Sequence, residues 1–243
     1  VNHIKEFIKT FDRMSGRHSR YELFHDFVTL ASSAFIVRAC PWEAERSEAE
    51  YMAVAGKYTR EELDQFAALL GLTCLSLASE PQDFLGAAFM LAEVSNDRLG
   101  QFFTPYSLSY MLAKITVGDV DKTKDLITVQ EPACGSGGMV VAFCAALEDQ
   151  GIDASQHTYT IATDLSEVAA RMAYIQLTIR NIPAHVVWGD TLRLTVIRQW
   201  PTLAFWPIAH KVEKWRKGGE VKEAGVVPRP EPQAFAQAAF DFA

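Results

Sequence analysis

The residues best equipped for chemistry lie in Leu126-Ile-Thr-Val-Gln-Glu-Pro-Ala-Cys-Gly-Ser-Gly-Gly138, where a β-branched run meets an acid and then a glycine-rich turn that opens a helix. Gly135, Gly137 and Gly138 lack a Cβ, so a ligand can come close to the backbone and the chain can take positive φ. Glu131 stands at the carboxyl end of the strand, where it can meet a cation or a hydroxyl. A dinucleotide fingerprint reads G-x-G-x-x-G, and a P-loop needs a lysine after its second glycine. Neither pattern is present. An acid ahead of the glycines suits a ligand with a positive end, such as an amino-acid ammonium, better than a phosphate. The same octet would also serve as a tight strand-to-helix turn with no ligand.

Two further strands strengthen the ligand reading. Residues 158–163 read as a buried strand ending at Asp164, with Ser166 placed to cap the following helix. Residues 184–188 form a third run, ending in Gly189-Asp190-Thr191. Parallel strands bring Glu131, Asp164 and Asp190 to one edge, which is where open α/β sheets bind ligands and where the second strand's acid meets ribose hydroxyls. Any one of these acids alone would be an ordinary solvated turn residue. Upstream, Thr104-Pro105 reads as an N-cap and first helical position, with Leu108, Met111, Leu112 and Ile115 as the buried stripe. Such a helix start offers amides and a hydroxyl to a carboxylate.

From about residue 99 to residue 192 these motifs resemble the N6-adenine DNA methyltransferases, and within them the modification subunits of type I restriction systems. The resemblance rests on Gly100-Gln-Phe-Phe-Thr-Pro105, the octet Glu131 to Gly138, Asp164, and Gly189-Asp190-Thr191, in that order. It implies a Rossmann-like class I methyltransferase sheet with S-adenosyl-L-methionine as cofactor. Thr104 and Pro105 would meet the methionine carboxylate, and Glu131, Ala133, Gly135 and Gly137 would surround the methionine and its amine. Asp164 would hold the ribose and Asp190 the adenine amino group. The resemblance also implies DNA as substrate, a role in restriction-modification, and a cytoplasmic setting.

The family's chemical element is missing. No Asn-Pro-Pro or Asp-Pro-Pro occurs in the chain, and Phe205-Trp206-Pro207, at the end of a short fourth strand, has no amide or carboxylate beside it. No catalytic residue is assigned. After Pro207 only 36 residues follow, so the sheet is expected to be incomplete, altered, or finished by another chain. The alternative function is a regulatory or binding subunit that keeps the pocket but needs a partner. A nicotinamide oxidoreductase is disfavoured by the glycine spacing.

Helices supply the setting. Residues 1–97 read as a helical region, with Ile4, Phe7, Ile8 and Phe11 on one face and capping signatures at Ser19-x-x-Glu22 and Thr59-x-x-Glu62. Residues 98–210 form the α/β domain, and 211–243 a charged linker and Pro-rich, Phe-bearing tail that either docks on its own domain or reaches a neighbour. The net charge of −7 gives no bulk attraction for DNA, so any grip on DNA calls for a partner chain or a second copy, as a homo- or hetero-oligomer. Basic groups at Arg13, Arg17, His18, Arg20 and at Lys211, Lys214, Arg216, Lys217 are candidate phosphate contacts or solvated faces. Four cysteines without metal spacing and scattered histidines argue against a metal or a disulfide framework, and no apolar run is long enough to span a membrane.

Overall fold

The computed structural model describes residues 2–16, 18–92, 103–118, 120–121 and 123–218. The boundary expected at 97 and 98, residues 100–102 of the upstream motif, and the tail beyond 218 lie outside the described residues. None of the helices described is long and apolar enough to cross a membrane.

The described N-terminal residues form α1 (His3–Met14), α2 (Arg20–Ala39), α3 (Ala44–Ala55), α4 (Arg60–Ser79) and α5 (Phe84–Leu91). Their starts follow local chemistry. The Ser19 hydroxyl accepts from the Glu22 amide, and Thr59 and Glu62 form a complete capping box. Pro41 ends α2 and opens a short 3-10 turn, whereas Gly71 lies inside α4 without stopping it. Phe7, Phe11, Phe24, Phe27, Phe84 and Phe89 build an aromatic core that also takes in Val168, Met172 and Ile175. Those three belong to the helix Glu167–Ile179 that packs on the sheet, so the helical region and the α/β layer share one core.

The rest of the chain runs α6 (Tyr106–Val117), β1 (Ile127–Glu131), α7 (Gly138–Glu148), α8 (Ala154–His157), β2 (Thr158–Asp164), α9 (Glu167–Ile179), β3 (Ala184–Asp190), β4 (Thr195–Pro201) and α10 (Phe205–Gly218). The sheet has the order β1-β2-β3-β4, with the first three strands parallel and β4 antiparallel to β3. The fold is mixed α/β with N-terminal helices, as the sequence predicts.

Three expectations are corrected. The fourth strand begins at Thr195, and Phe205-Trp206-Pro207 is the first turn of α10. Only four residues join Asp190 to Thr195, enough for a hairpin and far too few for the crossover of a dozen or more that a parallel strand requires. Gly189 permits the hairpin, because a Cβ there would drive into the Thr195 carbonyl oxygen. Second, α10 continues to Gly218, so residues 211–218, expected to open a linker, are helical. Third, the α6 stripe faces outward: Leu108, Met111, Leu112 and Ile115 are 41%, 53%, 41% and 67% exposed, while Ser109, Ala113 and Val117 are buried. Ala113 and Val117 lie against Ala142, Ala146 and Ile127, where small side chains let α6 approach α7 closely.

Buried charge joins the layers. Arg171 of α9 donates to Glu50 of α3 at 2.9 Å, to Glu167 at 2.8 Å and to Ser32 of α2 at 2.9 Å. Arg198 of β4 donates to Glu50 at 2.5 Å and to Glu43 at 2.6 Å. Both guanidinium groups lie over the Trp200 ring, at 5.4 and 5.1 Å from its centroid. Burial works to raise the pKa of Glu50, but the two arginines hold it below the usual carboxylate range. Replacing Glu50 by Ala leaves Arg171 with Glu167 and Arg198 with Glu43 but removes the carboxylate they share, and is expected to cost about 2 kcal/mol in urea-denaturation stability. A loss under about 1 kcal/mol would show the network to be dispensable.

His25 gives this interface a pH response. Hydrogen bonds to Asp26 and Glu167 outweigh burial and raise it from 6.5 to about 9. Its stabilising charge is therefore complete below about 6.5 and disappears as pH climbs through about 9. The melting temperature is expected to fall across that window, and His25→Gln to flatten this part of the profile.

Candidate functional site

Glu131, Asp164 and Asp190 end β1, β2 and β3, and the register pairs Glu131 with Ala162 and Asp164 with Trp188. All three acids therefore stand at the carboxyl edge of the parallel strands. The glycine turn crosses this edge between Glu131 and α7. Gly135 and Gly137 have φ of 54° and 88°, the left-handed region that favours glycine.

Asp164 organises the turn. Its Oδ2 accepts the Gly135 amide at 2.8 Å and its Oδ1 the Ser166 amide at 2.8 Å, tying the first loop to the second. Ser166 caps α9 through the Ala169 amide, as its position in sequence predicts. The Cys134 amide donates to the Thr163 carbonyl and the Gly137 amide to the Cys134 carbonyl, both at 2.8 Å. With these amides engaged internally, the turn is not the bare-amide cradle of a phosphate site.

Glu131 is half-buried, and its Oε1 accepts the Ala133 amide at 3.2 Å. Its other oxygen has no hydrogen-bond partner among the described residues, which suits a cationic donor. Asp190 caps the hairpin instead: Oδ1 accepts the Leu192 and Arg193 amides at 2.9 and 3.1 Å, and Oδ2 lies 3.6 Å from Arg193 Nε. Thr191 donates to the Pro132 carbonyl at 2.7 Å, drawing the hairpin onto the glycine loop. Thr104 and Pro105 are exposed at the start of α6. Pro105 occupies the N-cap position and no side chain caps the helix, so Thr104 lies one residue outside its expected place. The Pro105 carbonyl accepts the Leu108 and Ser109 amides.

The space left by the glycines is taken by protein. A Cβ on Gly135 would come within 3.0 Å of the Phe103 ring, one on Gly137 within 3.2 Å of Ala173, and one on Gly138 within 2.8 Å of Asp83. Sequence reasoning missed Asp83. Buried at the start of α5, its Oδ1 accepts the Gly86 amide at 2.9 Å and Gln176 Nε2 at 2.8 Å, while Oδ2 accepts the Ser136 hydroxyl at 2.6 Å. Gln176 also donates to the Ser136 carbonyl at 2.7 Å and accepts the Leu85 amide at 3.0 Å. This network clamps the glycine turn between α5 and α9. Asp83 follows Pro81 and precedes an apolar run, a helix-cap signal that reveals nothing of its distant partners.

Other candidate residues are engaged elsewhere. Trp206 donates to the Ala39 carbonyl at 3.0 Å and its ring meets Trp42, on a different element from the strand ends. Of the basic groups, Arg20 pairs with Asp12, His18 with Glu62, Lys211 with Asp125 and Lys217 with Glu213. Arg216 donates to the Tyr159 hydroxyl at 3.1 Å. Among the described residues, no group of three or more His, Cys, Asp or Glu side chains is placed to hold a metal ion.

Residues 83–202 match the family model described as N-6 DNA Methylase. No curated protein matches the chain. A crystal structure from Listeria monocytogenes, provisionally described as a class I S-adenosylmethionine-dependent methyltransferase, is similar at a TM-score of 0.41 and 13% identity. The match covers 75% of this chain and 51% of that one, so the chain spans about half the length of that protein.

The clamp makes a prediction. Asp83→Ala removes three hydrogen bonds to one buried carboxylate and is expected to destabilise the fold by about 2–3 kcal/mol. Amide exchange at 133–138 should rise more than exchange in α1. Uniform acceleration through both segments would mean that Asp83 has no special hold on the turn.

Proposed function

Because the chain belongs to the N-6 DNA methylase family through residues 83–202, we propose that it binds S-adenosyl-L-methionine at the carboxyl edge of β1, β2 and β3 and serves adenine-N6 modification of DNA. The observation that carries this reading is the meeting of Glu131, Asp164 and Asp190 around one glycine turn whose Ala133, Cys134, Gly135 and Gly137 amides are already used. An edge rich in carboxylates and poor in free amides suits a ligand with an ammonium and hydroxyls rather than one with phosphates. Glu131 would take the ammonium through its open oxygen, with Ala133, Gly135 and Gly137 alongside. Asp164 would accept from the ribose hydroxyls through its remaining lone pairs, and Asp190 from the adenine amine through Oδ2. Thr104 and Pro105 would lie near the methionine carboxylate. When bound, the cofactor supplies an electrophilic methyl group.

DNA is the proposed substrate, within a cytoplasmic restriction-modification or related system. With a net charge of −7, and with several candidate basic side chains paired internally, DNA is taken to be gripped together with a partner chain or a second copy. A second reading, a cofactor-binding regulatory subunit without its own transferase activity, is favoured by one feature. The Phe205-Trp206-Pro207 segment lies on α10, with Trp206 bonded to Ala39, and offers no acceptor for a target amine at the strand ends.

Isothermal calorimetry tests the pocket. S-adenosyl-L-methionine is expected to bind, and Asp164→Ala or Glu131→Gln to weaken binding about tenfold to a hundredfold, the loss of one or two charge-assisted hydrogen bonds. Equal affinity in all three proteins would refute the assignments. Transfer of tritiated methyl to double-stranded DNA, with and without partner chains, then separates the readings. Incorporation that requires this chain's intact pocket supports the enzyme, and none in any combination supports the regulatory subunit.

A further inference from the structure

Phe103 ends a run of aromatic contacts at the glycine turn. Its ring meets Phe89 edge-on at 5.4 Å between centroids, and Phe89 meets Phe24 in the same way at 5.2 Å. Phe24 and Phe89 are fully buried, whereas Phe103 is only half-buried, so the aromatic core reaches solvent here. The Cδ1 and Cε1 atoms of Phe103 lie 3.0 Å from where a Cβ on Gly135 would stand. Only a residue without a side chain lets the ring rest this closely on the turn.

The place of the ring has an electrostatic meaning. Gly135 donates its amide to Asp164 Oδ2 at 2.8 Å, and two residues earlier the Ala133 amide donates to Glu131 Oε1 at 3.2 Å. The ring therefore covers the backbone that follows one carboxylate and bonds to the next. Glu131 is assigned above to the cofactor's ammonium and Asp164 to its ribose. In S-adenosyl-L-methionine the sulfonium joins the amino-acid part to the ribose, so covalent connectivity brings that cation to the span between the two acids. Glu131 is then engaged by the ammonium, and both Asp164 oxygens already accept amides. The face of an aromatic ring carries negative charge density and attracts a cation without bearing a charge itself.

We infer that Phe103 is a specificity-determining residue whose ring attracts the sulfonium and so favours S-adenosyl-L-methionine over S-adenosyl-L-homocysteine, the same molecule without the methyl group and the positive sulfur. The inference rests on the cofactor reading and deepens it. Every other contact assigned to the cofactor, to its carboxylate, ammonium, ribose and adenine, is shared by the two molecules. Discrimination between them has to act at the sulfur.

The test measures binding of both ligands to the full 243-residue chain by isothermal calorimetry at one pH and salt concentration, and takes the ratio of their dissociation constants. Replacing Phe103 by 3,4,5-trifluorophenylalanine keeps the shape of the ring and depletes the charge on its face, and Phe103→Leu removes the ring. Relative preference for S-adenosyl-L-methionine is expected to fall about threefold to tenfold in Phe103→Leu and by an intermediate factor in the fluorinated protein. A ring that only packs on the turn would weaken both ligands alike and leave the ratio unchanged. One that obstructs the pocket would, on removal, tighten both. Either result overturns the inference and leaves the cofactor reading intact. If neither ligand binds the unaltered chain, the cofactor reading fails and this inference fails with it. Should Phe103→Leu not fold, the fluorinated protein decides alone.

Discussion

The structure turns on one carboxylate shared by two buried arginines. Glu50 lies on α3, Arg171 on α9 and Arg198 on β4, and both guanidinium groups lie over the Trp200 ring. Buried ion pairs contribute little net stability, but a cation left without its partner is costly, so they discriminate strongly against other arrangements. Here the favoured arrangement joins the N-terminal helices to the sheet and holds β4 beside β3. With β4 on that side, β1 is the opposite edge among the described residues.

That placement separates two properties that the motifs taken together would lead one to expect in one place. The carboxyl ends of β1, β2 and β3 gather the acids and the glycine turn, and a hydrogen-bonded clamp from α5 and α9 holds the turn from behind. The aromatic segment that would face a target base belongs instead to α10, on the far side of β4 in sequence and bonded to the end of α2. The displacement of that segment from the strand ends follows from the four-residue hairpin between Asp190 and Thr195. Gly189 serves that hairpin by admitting the Thr195 carbonyl.

The glycine turn carries a similar lesson. Its positive φ values fit the sequence reading, but the bare Cα atoms are met by Phe103, Ala173 and Asp83. Close packing of protein against protein demands the missing side chains at these positions as firmly as a ligand would. One Glu131 oxygen has no hydrogen-bond partner among the described residues, while both Asp164 oxygens accept amides.

The sequence by itself determined the features that depend on neighbours a few residues away. Caps at Ser19, Thr59 and Ser166, strands ending in Glu131, Asp164 and Asp190, and the alternation of helix and strand all follow from short-range hydrogen bonding and periodicity. Tertiary structure alone decided which side of α6 is buried, where β4 lies, and what Asp83 grips. In α6 two candidate faces exist, and the small one of Ser109, Ala113 and Val117 wins because α7 approaches closely there, while no described strand covers Leu108 and Ile115. Asp83 and Ser136 are 53 positions apart along the chain, and a hydrogen bond across that distance leaves no local pattern for a sequence to display.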